Sequence, residues 1–486
     1  MTQAQFLLLL IALTPLVNCS AITLFDKSQK LVNLVSKISP MFFLSVLIGF
    51  FNSEENANLE ILKTSQNISF GFLVDKSALT FLLFLNLIWI IFAFYSNRFL
   101  QVKKSQNANS FKLFFALIIA LIILIIISKN IITTLLFYNC LIFLCHFFAV
   151  KFLYKKDSKL PYSFTFLLYL ESIFFSLGVV ATYKFTGQIE FIKGEVISAQ
   201  LDKTQYLILV ILYSSGLFLS VLLPNYFCYR DINFNPLKIY SIFLLAYAFS
   251  SLCIFIKFLI FIFGISAFGE ILSNIGFIYF EWAFLINFSI ACALLLFSKN
   301  LKESFFYLFF SQFIFALFAI LTFIIFNKAR IYLPLFSFFL SFTLAFLCIS
   351  NIVLYLSKAE DKSLQGLFYE LKVTCTLLAF AILNMMGIVP ALGMLEKFFL
   401  IKILFQKELS ISGILFVINF VTLAIFAGKT FLQLLRRSKN TKSEKDLELA
   451  RVIDFDSSLI LTPLIVAVII FLSPIFIKLM SNFFSL

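Results

Sequence analysis

Charge is what this chain of 486 residues has least of. Only 13% of its residues are charged against 62% that are hydrophobic, and the mean hydropathy is +1.04. That scarcity excludes a soluble domain, whose surface would need many more polar side chains. Histidine is reduced to a single residue, and no Ser/His/Asp catalytic set and no glycine-rich phosphate loop occurs. The eight cysteines are scattered from Cys19 to Cys375 without a C-x-x-C spacing, so neither a metal site nor a disulfide framework is indicated. Long polar segments are missing as well. The longest, Arg436–Ser457, is charged and reads as a surface loop or helix, so any function must reside in the apolar segments.

What remains is apolar sequence in long blocks. Runs of roughly 18 or more apolar residues, each able to cross a hydrocarbon core of about 30 Å, recur along the whole length. They are continuous rather than alternating, which excludes a transmembrane barrel. The chain reads as an all-α polytopic membrane protein of about 14 spans. These lie near 4–25, 32–51, 71–95, 111–128, 131–153, 163–185, 204–228, 236–263, 271–297, 304–326, 331–356, 371–406 (broken), 411–435 and 458–482. The first has the length of a signal peptide but no basic leader, and further apolar runs follow at once, so it is read as a span. The 70 Phe, among many Ile, Lys and Asn, reflect coding bias better than an aromatic binding surface.

The net charge of +14 does not point to nucleic acid, because the basic residues are spread over short loops, where lysines orient membrane proteins. Loops after odd-numbered spans carry most of them, among them Lys27 and Lys30, Lys103 and Lys104, Lys155 and Lys156, and Arg436 and Arg437. The other loops hold fewer bases and, in the longer ones, acids such as Glu54, Glu60, Glu190 and Asp202. The positive-inside rule makes the first set cytoplasmic and puts both termini on the periplasmic side of a bacterial inner membrane.

A charge at mid-membrane costs roughly 2.5–3.5 kcal/mol on insertion scales, so each one asks for a role. His146, Glu171, Lys257, Glu281, Lys397 and Lys402 qualify. Lys257 lies toward a span end and can snorkel. Glu171 and Glu281 lie nearer span centres and need either a pathway or a buried partner. His146 follows Asn139 by two helical turns on the same face, where a lone histidine is more often a hydrogen-bonded packing residue. Lys397 follows a broken stretch, "GIVPALGMLEKF", with Gly387, Pro390 and Gly393. A second interrupted stretch, "SSGLFLSVLLPNY", contains Gly216 and Pro224. Broken backbone at membrane depth is tolerated only where it is buried or lines a wet cavity. Two broken spans roughly five spans apart are the mark of an inverted-repeat transporter.

The first of these stretches resembles the broken-helix signature G-x-P-P-x-x-G-F-x-x-K-F of the antiporter-like membrane subunits, matching at Gly387, Pro390, Gly393, Lys397 and Phe398. That family comprises chains L, M and N of bacterial NADH:quinone oxidoreductase and subunits A and D of Mrp-type cation/proton antiporters. Other stretches resemble it in the same order, at Asp75 and Tyr95–Ser96, at Gly178, Tyr183, Thr186 and Gly187, and at Leu301, Lys302, Tyr307, Ser311 and Gln312. The resemblance spans about residues 70–435. It implies two inverted five-helix repeats with broken helices in spans 7 and 12, divided as spans 1–3 (1–110), a first repeat (111–263), a second repeat (264–435) and a last loop and span (436–486). It also implies other membrane subunits as partners, H+ or Na+ as cargo, and no cofactor or metal.

Departures from the family fall on its proton route. Asn139 stands where the resemblance implies an intramembrane Glu, Leu219 where it implies a Lys, Leu244 and Ser250 where it implies His and Lys, and Phe342 where it implies another Lys. Leu and Phe cannot carry a proton, and Asn139 cannot supply a charge to tune a lysine. Either the usual route is lost, or Glu171, His146, Lys257, Glu281 and Lys397 form a different relay. The leading expectation is a divergent antiporter-like subunit of a proton- or cation-translocating complex, not itself a redox enzyme. Behind it stand a structural subunit that conducts nothing, and a polytopic flippase or transferase acting on lipid-linked sugars.

Overall fold

A computed structural model describes residues 2–51, 57–63, 69–103, 107–148, 162–191, 201–221, 237, 240–275, 277–298, 300–326, 330–359, 364–388, 390–407, 409–436, 444–455 and 457–479. The fold is helical and membrane-type, with one short β-hairpin that the hydropathy profile did not distinguish from its neighbouring span. Among the described residues ten helices are long and apolar enough to cross a membrane, or eleven if one bent pair near the C-terminus is counted. The remaining predicted spans fall on shorter or interrupted helices, described below.

The chain forms two compact units, Met1–Ala93 with Ser105–Leu272, and Phe94–Lys104 with Ser273–Leu486. The first unit opens with α1 (Gln3–Leu24) and α2 (Gln29–Phe51). Thr2 caps α1 reciprocally with Gln5, which satisfies two of the donors a helix start leaves free. Pro15 lies inside α1 and removes one backbone donor. The Thr14 hydroxyl reaches back to the Ile11 carbonyl, 3.5 Å away, on the turn this donor would have served. α1 and α2 pack on each other and on α4 (Ala108–Ile126).

The hairpin, β1 (Ala57–Lys63) and β2 (Ser69–Val74), is antiparallel with an irregularity between Glu60 and Leu62. Its β2 edge is covered: Leu73 N donates to Ile127 O (2.7 Å) and Lys129 N to Gly71 O (3.0 Å). The turn between α4 and α5 (Ile131–Phe148) is covered in turn by Phe191 N donating to Lys129 O and Ile131 N to Ile189 O. Covered edges leave no template for unwanted pairing. Asp75 then starts α3 (Lys76–Lys103) by accepting from Ala78 N and from the Ser77 hydroxyl, each at 2.9 Å.

The rest of the first unit is α6 (Tyr162–Thr186), α7 (Lys203–Phe218) and α8 (Tyr240–Phe263). α8 is unusual in that Tyr240–Phe249 and Leu259–Phe263 are wound as π-helix around an α-helical centre. Short π-turns often mark functional sites; here the widened turns carry apolar or aromatic side chains apart from Ser241. The unit ends at Leu272, within α9 (Ile265–Ile275).

In the second unit α10 (Phe277–Phe297) packs on α11 (Leu301–Phe326) and on α16 (Ser410–Leu435). α12 (Tyr332–Lys358) packs on α11, on α14 (Lys372–Met386), on α15 (Leu392–Gln406) and on α18 (Ser457–Leu479). Between them lie the short α13 (Leu367–Glu370) and α17 (Glu444–Phe455). The segment read as a surface loop or helix contains a helix, and one of its charges has a structural job. Asp454 of α17 is 3% exposed and accepts from Val373 N (2.9 Å), Thr374 N (3.1 Å) and the Thr374 hydroxyl (2.7 Å). It caps the start of α14, where a negative charge also complements the helix dipole.

Candidate functional site: the break between α14 and α15

α14 stops at Met386 because Gly387 adopts φ 79°, a left-handed conformation suited to a helix C-terminus. Gly387 N donates to Asn384 O (3.0 Å) and Ile388 N to Leu383 O (3.1 Å), closing the last turn. The chain restarts at α15, whose Gly393 N donates to the Asn384 side-chain oxygen (3.0 Å). The Asn384 amide donates to the Ser341 hydroxyl on α12 (2.6 Å). One fully buried carboxamide thus joins both half-helices to a third helix.

Both glycines are sterically required. A Cβ on Gly393 would lie 1.8 Å from Asn384 O, and one on Gly387 would lie 2.6 Å from Lys397 Cγ. The lysine stem therefore runs across the bare backbone of the break. Its amine donates to Glu396 Oε1 (3.0 Å), with both side chains buried. It also stands 4.1 Å from the centre of the Phe315 ring, a favourable place for a desolvated cation. Neighbouring helical residues do not normally face each other; here the carboxylate and ammonium meet because Lys397 bends back over the break. Glu396 and Asn384 are absent from the set of sites read from the sequence. Adjacent opposite charges in an apolar run, "LEKF", were the signal that could have found Glu396.

The helix next to this pair is sealed with aromatics. Phe342 on α12 is 1% exposed and packs on Phe305 (4.7 Å) and Phe309 (4.9 Å) of α11. Glu281, on α10, accepts a hydrogen bond from the Ser412 hydroxyl on α16. Among the described residues no hydrogen bond or ion pair joins Glu281 to Lys397. Lys402 is exposed.

The first unit presents a different arrangement at the end of α7. α7 ends at Phe218, and Gly216 lets it approach α6 closely: an added Cβ would be 2.7 Å from Phe175 N. Tyr138 on α5 donates to Gly216 O (3.3 Å). Glu171 on α6 is fully buried and accepts from Ser220 N (2.7 Å), just past Leu219. Its second oxygen has no hydrogen-bond partner among the described residues. Pro224 lies outside the described residues. Asn139 accepts from the Ser172 hydroxyl (2.8 Å), beside Glu171 in sequence. Leu244 is fully buried in the π-helical stretch, and the Ser250 hydroxyl donates back to Ala246 O within its own helix.

His146 and Lys257 are not drawn into this cluster. The His146 ring packs beside Tyr169 (5.9 Å), and its Nδ1 has no hydrogen-bond partner among the described residues. The expected hydrogen-bonded histidine is therefore a ring-packed one at that atom. Lys257 is buried rather than snorkelling, with its amine donating to Ile126 O (3.0 Å) and Ser128 O (2.5 Å) at the end of α4. No hydrogen bond or ion pair among the described residues joins Glu171, His146 and Lys257 to one another.

One further charged cluster lies outside the helices, where Lys129 bridges Glu60 (2.6 Å) and Glu190 (3.2 Å) across the hairpin. Burial alone would lower the Lys129 pKa, but the hydrogen bonds and charges of Glu60 and Glu190 outweigh it and raise the value.

No protein-family model matches this sequence, and no characterised protein matches it by sequence. Solved structures do share its fold. A chain of the Mrp complex from Dietzia sp. DQ12-45-1b superposes with a TM-score of 0.74 at 13% identity, over 100% of this chain and 96% of that one. A chain of respiratory complex I from Thermus thermophilus, with bound NADH, gives 0.70 at 13% identity, covering 98% of each. A chain of the membrane-bound sulfane sulfur reductase, an archaeal respiratory membrane complex, gives 0.72 at 16% identity, over 96% of this chain and 75% of that one. At such identities the likeness establishes the fold and nothing finer.

Proposed function

We propose that this chain is an antiporter-like subunit of a multi-subunit membrane complex that moves protons or cations, and that any such movement in its second unit runs through the Lys397–Glu396 pair. The observation that carries the proposal is a buried, self-compensated ion pair at a glycine-broken helix, in a fold shared nearly end to end with chains of an Mrp complex and of complex I. A pair of this kind can exchange one proton between Nζ and Oε1 without leaving a net charge in hydrocarbon, which limits the cost of each step. In the first unit, Glu171 is the buried carboxyl nearest the end of α7 and is the group able to hold a proton there. Glu281, Lys257 and His146 have weaker claims, since none is linked to either cluster.

The finer architecture belongs to the same proposal. About 14 spans form two inverted five-helix repeats, bounded as 111–263 and 264–435, with spans 1–3 before them and a last loop and span after. Both termini face the periplasm of a bacterial inner membrane, and the partners are other hydrophobic subunits. A second reading has a specific observation in its favour. Phe342 is packed among phenyl rings, Leu244 is fully buried and Leu219 is aliphatic, so three positions of the family's route are apolar. On that reading the chain is a non-conducting structural subunit.

Native purification tests the membership that both readings share. The chain is expected to elute with other polytopic subunits at fixed stoichiometry. Isolation as a lone, stable chain in mild detergent would refute it.

A further inference from the structure

The chain contains one short motif twice: Ser-Lys-Asn, an aliphatic residue, two variable positions and a hydroxyl residue, at Ser128–Thr134 and at Ser298–Ser304. Each copy follows a membrane helix, α4 in the first unit and α10 in the second. Three hydroxyl contacts recur in both, although the asparagine side chain is bonded differently, Asn130 Oδ1 accepting from Thr133 and Asn300 Nδ2 donating to Glu303. The Ser128 hydroxyl donates to Ile125 O (2.7 Å) and the Ser298 hydroxyl to Leu295 O (2.6 Å). Ser128 Oγ meets Thr134 Oγ1 at 2.5 Å, and Ser298 Oγ meets Ser304 Oγ at 2.8 Å. Thr134 and Ser304 each donate from Oγ to the motif's asparagine carbonyl, at 2.9 Å in both copies.

A lysine from a distant helix completes each copy. Lys257, six residues before the end of α8, donates to Ile126 O (3.0 Å), Ser128 O (2.5 Å) and Ser128 Oγ (3.4 Å). Lys429, six residues before the end of α16, donates to Leu296 O (3.2 Å) and Ser298 O (2.7 Å). The carbonyl acceptors correspond, Ser128 O to Ser298 O within the motif and Ile126 O to Leu296 O two residues before it. They are carbonyls at a helix C-terminus, which lack intrahelical donors and form the negative end of the helix dipole. A helix-end carbonyl left without a donor and shielded from water is costly. An ammonium offers three donors and no acceptor, and Lys257 spends all three on this turn while its charge rests 4.6 Å from the Phe191 ring.

We infer that Lys257 and Lys429 are equivalent capping cations, each tying the end of an early helix of its unit to a late one, and that neither carries a translocated ion. The duplication gives this meaning independently of whether the chain conducts. It also argues against Lys257 as a relay in the first unit, because a lysine that must release its proton would lose one of its three donors, and the charge that faces the helix-end carbonyls, with every cycle.

The test is hydrogen exchange on the chain in its purified complex, together with ion flux in vesicles, for Lys257→Met, Lys257→Arg, Lys429→Met and Lys429→Arg. The Met variants are expected to raise exchange about tenfold at the amides ending the capped helix, Ile127 and Ser128 for one lysine and Ser298 for the other. The Arg variants, which keep the charge and the donors, are expected to stay near wild type in exchange and in flux. If a Met variant does not assemble, the Gln variant, which keeps donors without charge, is expected to show an intermediate rise. Unchanged exchange in both neutral variants would overturn the inference. So would a Lys257→Arg protein with normal exchange and no flux beside an active wild type, since guanidinium does not deprotonate. Where wild type shows no flux, exchange alone decides.

Discussion

Removing one member of the Lys397–Glu396 pair should harm the protein far more than removing both. The two groups lie 3.0 Å apart with side chains 7% and 3% exposed. At that separation and an effective dielectric near 20, their attraction is about 5.5 kcal/mol. Stranding one charge of a buried pair typically costs about 3–5 kcal/mol, whereas replacing both by apolar groups of similar size is often close to neutral. Lys397→Met and Glu396→Leu should therefore each destabilise the protein by about 3–5 kcal/mol, and the double variant by about 1 kcal/mol or less. Unfolding of the purified protein in mixed micelles by an anionic detergent, followed by helical circular dichroism, completes the double-mutant cycle. Single effects that simply add, to within about 0.5 kcal/mol, would show that the two charges do not face each other and would refute the geometry.

Two further outcomes follow from the same structure, and a third from the distribution of loop charges. Gly393→Ala puts a methyl 1.8 Å from Asn384 O and should cost about 3 kcal/mol or more by forcing the half-helices apart, read as loss of folded protein in detergent. The Lys129 clamp on Glu60 and Glu190 has a pKa raised above the unfolded lysine value of 10.5, so its contribution is complete below that pH and is lost as pH rises through the folded value. The protection of the hairpin amides, taken as their exchange relative to the intrinsic base-catalysed rate at each pH, should fall only above about pH 10.5, and in Lys129→Met this alkaline loss should vanish. Finally, a reporter fused just after Arg436 should register as cytoplasmic and one within Phe51–Lys63 as external; reversal of both would overturn the proposed orientation.

Much of the fold was legible because long apolar runs and helix breakers are local signals. Gly387, Pro390 and Gly393 announce the α14–α15 break, where Gly387 adopts the left-handed conformation that ends α14 and an added Cβ on either glycine would clash. The hairpin β1–β2 was not legible: β2, "SFGFLV", is as apolar as a span, and only pairing with distant residues reveals it. Long-range partners were hidden for the same reason. Asp454 reads as one more charge in a polar segment until its contact with the start of α14 is known. Lys257 read as a snorkelling or relay residue because its acceptors are backbone carbonyls, which leave no trace in side-chain identity. Glu396 was overlooked although adjacent to Lys397, because neighbouring helical positions are not expected to pair.

Lys397, held against Glu396 at a broken helix, is proposed as the ion-carrying lysine of the second unit. Ion flux in vesicles containing the assembled complex tests it most directly, comparing wild type with Lys397→Ala and Lys397→Arg at matched protein insertion. The account predicts flux in wild type and its loss in both variants, the second because arginine keeps its proton. Undiminished flux in Lys397→Ala would contradict it, and an assembled wild-type complex without flux would instead favour the structural subunit.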